Sequence, residues 1–278
     1  MLVNTKAILQ HAQQKKYAVA AFNVYNLETV QAAIRVAEQE NQPVIIALGE
    51  RYFPTVDVEG FSAFVKTLAE KSSVPVALHL DHAYEKESII RAIRCGFTSV
   101  MFDGSSYDLE ENIRRTKEIV EIAHMVGVSV EAEIGSLAKG DFSDEEEGDG
   151  TLTNPKSAKD FVDATGVDFL AAAIGTVHGM YKGEPKIDLP LLERIQQAVD
   201  VPLVLHGGSG TPDLIIKQAI QLGICKVNVN TEVSMAAVSY LQNYFEDKQM
   251  AHLSTVMAEM QKSMEPVMTK FVRLFANK

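Results

Sequence analysis

Cysteine, basic charge and long apolar runs are all scarce in this chain, and each scarcity removes a class of protein from consideration. Cys95 and Cys225 are the only cysteines. Each lies inside an apolar segment and reads as a buried free thiol, not as half of a disulfide or a nucleophile. Acidic residues outnumber basic ones, 37 to 26, for a formal net charge of −11 and a pI near 5.1. With no Lys/Arg cluster to track a phosphate backbone, nucleic acid is not an expected partner. No stretch reaches the roughly 18 apolar residues of a membrane span, and the opening MLVNTKAILQHAQQKK has no apolar run behind a basic start. The expectation is a cytoplasmic protein with no membrane partner.

Core material is plentiful, at 46% hydrophobic and 23% charged residues over 278 positions, which is ordinary globular usage. Short runs rich in Val, Ile and Ala alternate with longer segments of helical periodicity. The strand candidates are 17–23, 43–48, 75–80, 98–103, 128–134, 168–174, 202–206 and 225–229. Between them lie amphipathic stretches such as 27–40, 108–126 and 212–222, and Gly96, Gly127, Gly166 and Gly223 each sit just before a strand. Alternation of this kind marks βα units around a parallel sheet. A G-x-G-x-x-G turn after the first strand, the mark of a doubly wound dinucleotide fold, is missing. Eight repeats predict an α/β protein with a (β/α)₈ barrel and a C-terminal helical extension. Such barrels run to about 250 residues as one unit, so residues 1–278 are expected to form one domain. Two segments break the rhythm. The stretch 135–153 is acidic and Gly-rich and is expected to be a mobile loop. In the tail 247–275, Val256, Met260, Met264, Val267 and Phe271 recur at helical spacing and should pack on the barrel or on a partner subunit.

Catalytic groups of such a barrel come from the carboxyl ends of its strands. The third run ends in His79-Leu80-Asp81-His82, the fourth in Asp103, and the fifth carries Glu131 and Glu133; the sixth leads into His178-Gly179, and the seventh ends in His206-Gly207-Gly208-Ser209. Three imidazoles, His82, His178 and His206, therefore fall at one rim, the way a catalytic zinc with an open position is held. Asp81, beside a proposed ligand, could pass a proton to or from a substrate oxygen. Asp103 and Glu133 suit either a second metal position or hydrogen bonding to the histidines, and His79 could orient a ligand. After the last two strands, Gly207 and Gly208 allow close approach to an anion, with the hydroxyls of Ser209 and Thr231 nearby.

The motifs YAVAAFNVYNLET, HLDHA, SVMFDGSSYDLEENI, VSVEAEIG, AIGTVHGMYKGEP, VPLVLHGGSG and KVNVNTE, in this order, resemble class II fructose-bisphosphate and tagatose-bisphosphate aldolases from about residue 3 to about residue 240. The resemblance implies zinc on His82, His178 and His206, a second metal position at Asp103 and Glu133, and a monovalent cation (Na⁺ or K⁺) near the phosphate. It implies that Asp81 is the proton donor in condensation. It also implies that the dihydroxyacetone phosphate end of a phosphorylated sugar is held by Gly179, by Gly207, Gly208 and Ser209, and by Asn228, Val229, Asn230 and Thr231. The family tendency and the helical tail point to a homodimer or homotetramer.

Departures from that pattern concentrate on one end of the substrate. The loop after the fifth strand reads GSLAKGDFSDEEEG, so the base that removes the substrate proton lies among Asp141 and Glu145 to Glu147, with Glu145 the first choice. After the second strand the chain reads ALGERYFPT, without the Ser that meets a second phosphate in the family. Near the C-terminus YFEDKQMAHLS replaces an Asp-Pro-Arg segment, and Arg273 is the only Arg after residue 194. Both losses fall on the aldehyde's distal phosphate, so the expected aldehyde lacks one, as in a ketose 1-phosphate or a sugar-acid phosphate, and Arg51 could meet a carboxylate instead. Two other readings stay open at this point: a metal-dependent sugar-phosphate isomerase or epimerase, and a non-catalytic sugar-phosphate-binding or aldolase-assembly subunit.

Overall fold

A computed structural model of the chain describes residues 1–145, 148–247 and 252–277. Helix α1 (Thr5–Lys15) leads into β1 (Val19–Asn23), α2 (Leu27–Glu40), β2 (Val44–Gly49), α3 (Val58–Lys71), β3 (Val76–Ala83), α4 (Lys86–Cys95), β4 (Ser99–Phe102), α5 (Leu109–His124) and β5 (Ser129–Ile134). Then follow the two-residue β6 (Ala138–Lys139), α6 (Pro155–Thr165), β7 (Phe169–Ala172), the two-residue β8 (Val177–His178), α7 (Leu189–Ala198), β9 (Leu203–Leu205), α8 (Asp213–Gln221), β10 (Ile224–Val229), α9 (Thr231–Asp247) and α10 (Leu253–Phe275). The eight longer strands close, all parallel, in the order β1, β2, β3, β4, β5, β7, β9, β10. This is the expected (β/α)₈ barrel, with its strands within two or three residues of the apolar runs that predict them.

Local chemistry sets the element ends. Asn26 and Thr29 form a capping box that starts α2, and Asn154 followed by Pro155 starts α6. Helix α4 stops where Gly96 takes a left-handed φ of 90°, a conformation that a Cβ would strain. The barrel strands are buried along their whole length, because one face meets the surrounding helices and the other the barrel interior.

The interior is divided by polarity. At the amino ends of the strands, Val19, Ile45, Ala77, Phe169 and Val204 form an apolar floor, and Ile8, Leu9 and Ala12 of α1 close it from below. Helix α1 escapes a periodicity reading because only Thr5, Ile8, Leu9 and Ala12 are buried in an otherwise polar stretch. A greasy floor seals that end and leaves the carboxyl end for polar side chains.

The segment 135–153 is more structured than a plain loop. Its Ala138 and Lys139 pair in parallel with Val177 and His178, and Asp141 exchanges two 2.8 Å backbone hydrogen bonds with Met180. Glu146 and Glu147 lie outside the described residues. The tail packs on its own chain: Met260, Met264, Met268, Phe271 and Phe275 of α10 join the outer core, and Arg35–Glu265 and Arg273–Glu40 ion pairs fasten it to α2. Among the described residues no helix is long and apolar enough to cross a membrane.

Phe271 is fully buried, so Phe271→Ala should cost about 3–5 kcal/mol of stability by cavity formation and lost transfer free energy. Urea unfolding checks this; a loss below about 1 kcal/mol would mean that the tail is not part of the barrel's core.

Candidate active site

Residues at alternate positions of a strand share one face. That rule sends His79 and Asp81 of β3, Glu131 and Glu133 of β5, and Lys226 and Asn228 of β10 into the upper barrel, where all six are buried. His82 follows Asp81 directly and on a regular strand would face away. It reaches the same space because β3 is irregular there. Its pairing with β4 runs His79↔Ser99 and Leu80↔Val100 but resumes at Ala83↔Phe102, and His82 itself has φ 39°. A bulge with one residue in a strained, left-handed conformation thus turns two neighbouring side chains inward.

His82, His178 and His206 converge, with ring centroids 4.5–6.0 Å apart. His178 comes from β8, outside the barrel, and the pairing of β8 with β6 holds it over the opening. Among the described residues two groupings have ligand atoms within 4.8 Å of one another: His82 with His178 and His206, and His82 with Asp103 and Glu133. The expected ligands are therefore together, and Asp103 and Glu133 join them through His82.

Whether these residues fit a metal can be judged from what they leave unpaired. His178 Nε2 is buried without a hydrogen-bond partner, a costly state unless something else completes it, and His206 Nδ1 and Glu133 Oε2 face each other at 3.1 Å in the same space. His82 Nδ1 is hydrogen bonded to Asp103 Oδ2 at 2.8 Å, and His206 Nε2 to Glu131 Oε1 at 2.8 Å, which leaves the other nitrogen of each ring for a ligand role. Burial, reinforced by the neighbouring His82 and His206, holds His178 well below the usual imidazole range, in the neutral form that a metal needs. Burial works the other way on His206, but Glu131 and Glu133 on either side outweigh it and push it up to about 10. Positive charge is favoured at that spot. Glu133 is raised by burial and by the charge of Asp103. Three imidazoles with carboxylates behind them are the donor set of a catalytic zinc site.

Asp81 is nearly inaccessible and fully engaged. Asn23 donates to its Oδ2 at 2.8 Å, and Asn228 donates to Oδ1 at 2.9 Å and Oδ2 at 3.1 Å. Burial alone would raise its pKa, but His82 and Lys226 hold it well below the ordinary range. Asn23 and Lys226 did not stand out from the sequence motifs. Their signal was there: a polar side chain closing β1, and a lysine inside the mostly apolar run ICKVNV. His79 does not meet a proposed ligand directly; its Nδ1 bonds Ser99 Oγ at 2.8 Å.

The cavity beside Asp81 and His82 is lined by Gly179, Gly207, Gly208, Ser209, Asn228, Asn230 and Thr231, as expected of the anion end, and also by Asn23, Ser143 and Glu145. Val229 is the exception: its side chain lies in the outer core between strands and helices, so only its backbone could contribute. The Gly208 N–H is already spent on the Asn228 carbonyl at 3.0 Å. What Gly208 supplies is space, since a Cβ there would meet Asn228 O at 2.5 Å and Val227 Cγ1 at 2.6 Å. Thr231 opens α9, whose amino end adds a positive dipole to the cavity.

Glu145 is buried and borders both this cavity and a second one lined by Asp103, Glu133 and His178. Its carboxylate is paired with Arg51, from the 3₁₀ turn Glu50–Tyr52 that follows β2. Asp144 next to it is held on three sides, by Arg51, by the Tyr52 hydroxyl at 2.5 Å and by Asn230 Nδ2 at 3.1 Å. Arg51 thus faces the loop's carboxylates at the rim. Asp141 sits farther out, 3.8 Å from Lys182.

Residues 3–278 match the family described as class-II fructose-bisphosphate aldolase. The chain is similar to the YdjI aldolase from Escherichia coli K12, with 38% identity and a TM-score of 0.89 over 99% of this chain and 97% of that one. It is also similar to a candidate fructose-1,6-bisphosphate aldolase from Coccidioides immitis, with 33% identity and a TM-score of 0.89 over 98% and 96% of the two chains. The fructose-bisphosphate aldolase of Campylobacter jejuni, at 22% identity, shares the fold, with a TM-score of 0.82 over 99% and 95%.

A site with these converging donors should bind zinc and be stabilised by it. At free zinc about 100-fold above its dissociation constant, the gain is about 2.7 kcal/mol. Calorimetric unfolding with zinc and with chelator should show a higher midpoint with zinc, and His178→Ala should remove most of the difference. Identical midpoints for the unsubstituted protein would rule the metal site out.

Proposed function

Given that the chain belongs to the class-II fructose-bisphosphate aldolase family, we propose that it is a zinc-dependent aldolase that cleaves a phosphorylated ketose reversibly to dihydroxyacetone phosphate and an aldehyde. The observation that carries the reading is the convergence of His82, His178 and His206, whose ligand atoms lie within 4.8 Å of one another, beside a buried Asp81. His82, His178 and His206 would hold the zinc, and Asp103 and Glu133 could serve a second metal position. When bound, zinc supplies Lewis acidity that makes the carbon next to the substrate ketone acidic and stabilises the enediolate charge.

The protein's own groups divide the rest of the work. Gly179, Gly207, Gly208, Ser209 and the 228–231 segment would grip the phosphate of the dihydroxyacetone end, with a monovalent cation (Na⁺ or K⁺) beside it. Glu145, bordering the cavity, is the group that would remove the proton from the carbon, and its ion pair with Arg51 sets its position. Asp81 would protonate the alkoxide formed in condensation and take the same proton back in cleavage. Its two asparagine donors aim it, and the neighbouring His82 and Lys226 favour the ionised form that takes the proton in cleavage; the protonated carboxyl that results is the form that acts in condensation.

The aldehyde partner is proposed to lack a second phosphate. Arg273 is committed to Glu40 of α2, and Arg51 is the cation at the rim, beside Glu145 and Asp144. A planar guanidinium in that place suits a carboxylate on the aldehyde. The same reading takes residues 1–278 as one domain, working in the cytoplasm as a homodimer or homotetramer.

Release of dihydroxyacetone phosphate from a panel of ketose 1-phosphates, sugar-acid 1-phosphates and 1,6-bisphosphates tests the proposal. Release should vanish with chelator, and Asp81→Asn should lower kcat by about 10²–10⁴-fold while the protein stays folded. Isomerised substrate without any three-carbon product would replace the aldolase reading with an isomerase. Strong preference for a 1,6-bisphosphate over the matching 1-phosphate would overturn the assignment of the aldehyde. On that assignment, Arg51→Ala should raise KM for carboxylate-bearing substrates much more than for neutral ones.

A further inference from the structure

Below the proposed reaction centre lies an ion pair that the mechanism does not use. Lys226 is fully buried in the barrel interior. Its Nζ donates to Glu131 Oε2 at 2.7 Å and stands 3.4 Å from His79 Nε2 and 3.9 Å from Asp81 Oδ1. Glu131, also fully buried, accepts from His206 Nε2 through its other oxygen at 2.8 Å. Below them the chain of contacts continues from His79 Nδ1 to Ser99 Oγ at 2.8 Å, and from Ser99 Oγ to Thr5 Oγ1 at 2.5 Å.

We propose that Lys226 is a positioning residue for the metal centre: by pinning Glu131 it fixes the tautomer and tilt of His206. The inference rests on the zinc-site reading given above. A carboxylate held at one oxygen has its plane set, so the other oxygen can meet only one N–H direction. Glu131 Oε1 is that acceptor, which obliges His206 to carry its hydrogen on Nε2. His206 Nδ1, 3.1 Å from Glu133 Oε2, is then the nitrogen offered to the space shared with His82 and His178. A free carboxylate would rotate, and the ring would follow.

Stability alone does not account for the pair. A fully buried ion pair adds little over apolar side chains of the same volume, because the desolvation of both charges offsets their attraction. Apolar side chains, among them Val19, Ile45, Ala77, Phe169 and Val204, fill the inward positions nearer the floor. A lysine and a glutamate at this height make sense where the carboxylate has a further partner, and that partner is a proposed ligand. Carboxylates and their own partners behind a ligating histidine typically change metal affinity about 10–100-fold.

The test compares Lys226→Met with Lys226→Met/Glu131→Gln. The single variant leaves an unpaired buried carboxylate, a cost to folding that is separate from the role proposed. The double variant removes both charges at nearly constant volume and leaves an amide that nothing pins. Zinc affinity is measured by competition with a chelating dye, folding by thermal unfolding of the zinc-free protein, and the ligand environment by the visible spectrum of the cobalt-loaded protein. The expected result is a double variant that unfolds close to the unsubstituted protein yet binds zinc ten- to a hundredfold more weakly, with an altered cobalt spectrum. In turnover at saturating zinc, kcat should fall while KM changes less than about twofold, because Lys226 does not border the phosphate cavity. A folded double variant with unchanged zinc affinity and spectrum would make Lys226 a core filler and overturn the inference. A double variant that does not fold would overturn it too, since Lys226 would then serve the barrel itself. His206→Ala separates the two readings: if it leaves zinc affinity unchanged, the zinc-site assignment has failed.

Discussion

A strand of a closed barrel can offer the interior only every second side chain, and the chemistry of this site has to be assembled under that limit. Most of it obeys: the pairs at 79 and 81, 131 and 133, and 226 and 228 step upward on their strands toward the carboxyl rim. Asp81 and His82 cannot both obey, and the site needs both. The bulge at the end of β3, with His82 at φ 39°, resolves the conflict by local strain. Such strain persists only where surrounding contacts hold it, and the Asp103 hydrogen bond to His82 is one of them. Removing the bulge would leave the ring on the helix side of the sheet.

A second constraint follows from putting so much polarity in a core. The upper barrel holds Asp81, Asp103, Glu131 and Glu133, all buried, against one buried lysine and four histidines. Each carboxylate has a specific partner: two asparagines for Asp81, His82 for Asp103, Lys226 and His206 for Glu131. Glu133 faces His206 Nδ1 at 3.1 Å, and His178 Nε2 is buried beside them without a hydrogen-bond partner. The apolar floor under α1 makes this arrangement possible by keeping water out from below, so that each charge is answered by a protein group.

The loop after β5 joins the two halves of the site. Its short pairing with β8 holds His178 at the opening, and Glu145 meets Arg51 across the cavity mouth. The turn after β2, which departs from the family pattern, is therefore the part of the structure that touches the proposed base. A change in aldehyde recognition and a change in how the base is held would arise from the same few residues, Arg51, Tyr52 and Asp144.

Amino-acid order alone determined the architecture and the roster of reactive groups. Eight apolar runs separated by amphipathic segments have few solutions other than a parallel barrel, and function then collects at the carboxyl ends of the strands. His82, His178, His206, Asp81, Asp103 and Glu133 were legible because each closes or follows such a run. The Val229 side chain turns to the outer core, since membership of a motif does not say which face of a strand a residue takes. Tertiary structure alone decided which nitrogen of His82 meets Asp103 and which of His206 meets Glu131, that α1 plugs the floor, that Lys226 pairs with Glu131 across the barrel, and that Arg51 meets Glu145. These are contacts between residues far apart in the chain, 95 positions for Lys226 and Glu131, and some depend on a one-residue irregularity in strand pairing. Periodicity describes the faces of one element at a time. Which faces meet, and at what register, is set only when the barrel closes.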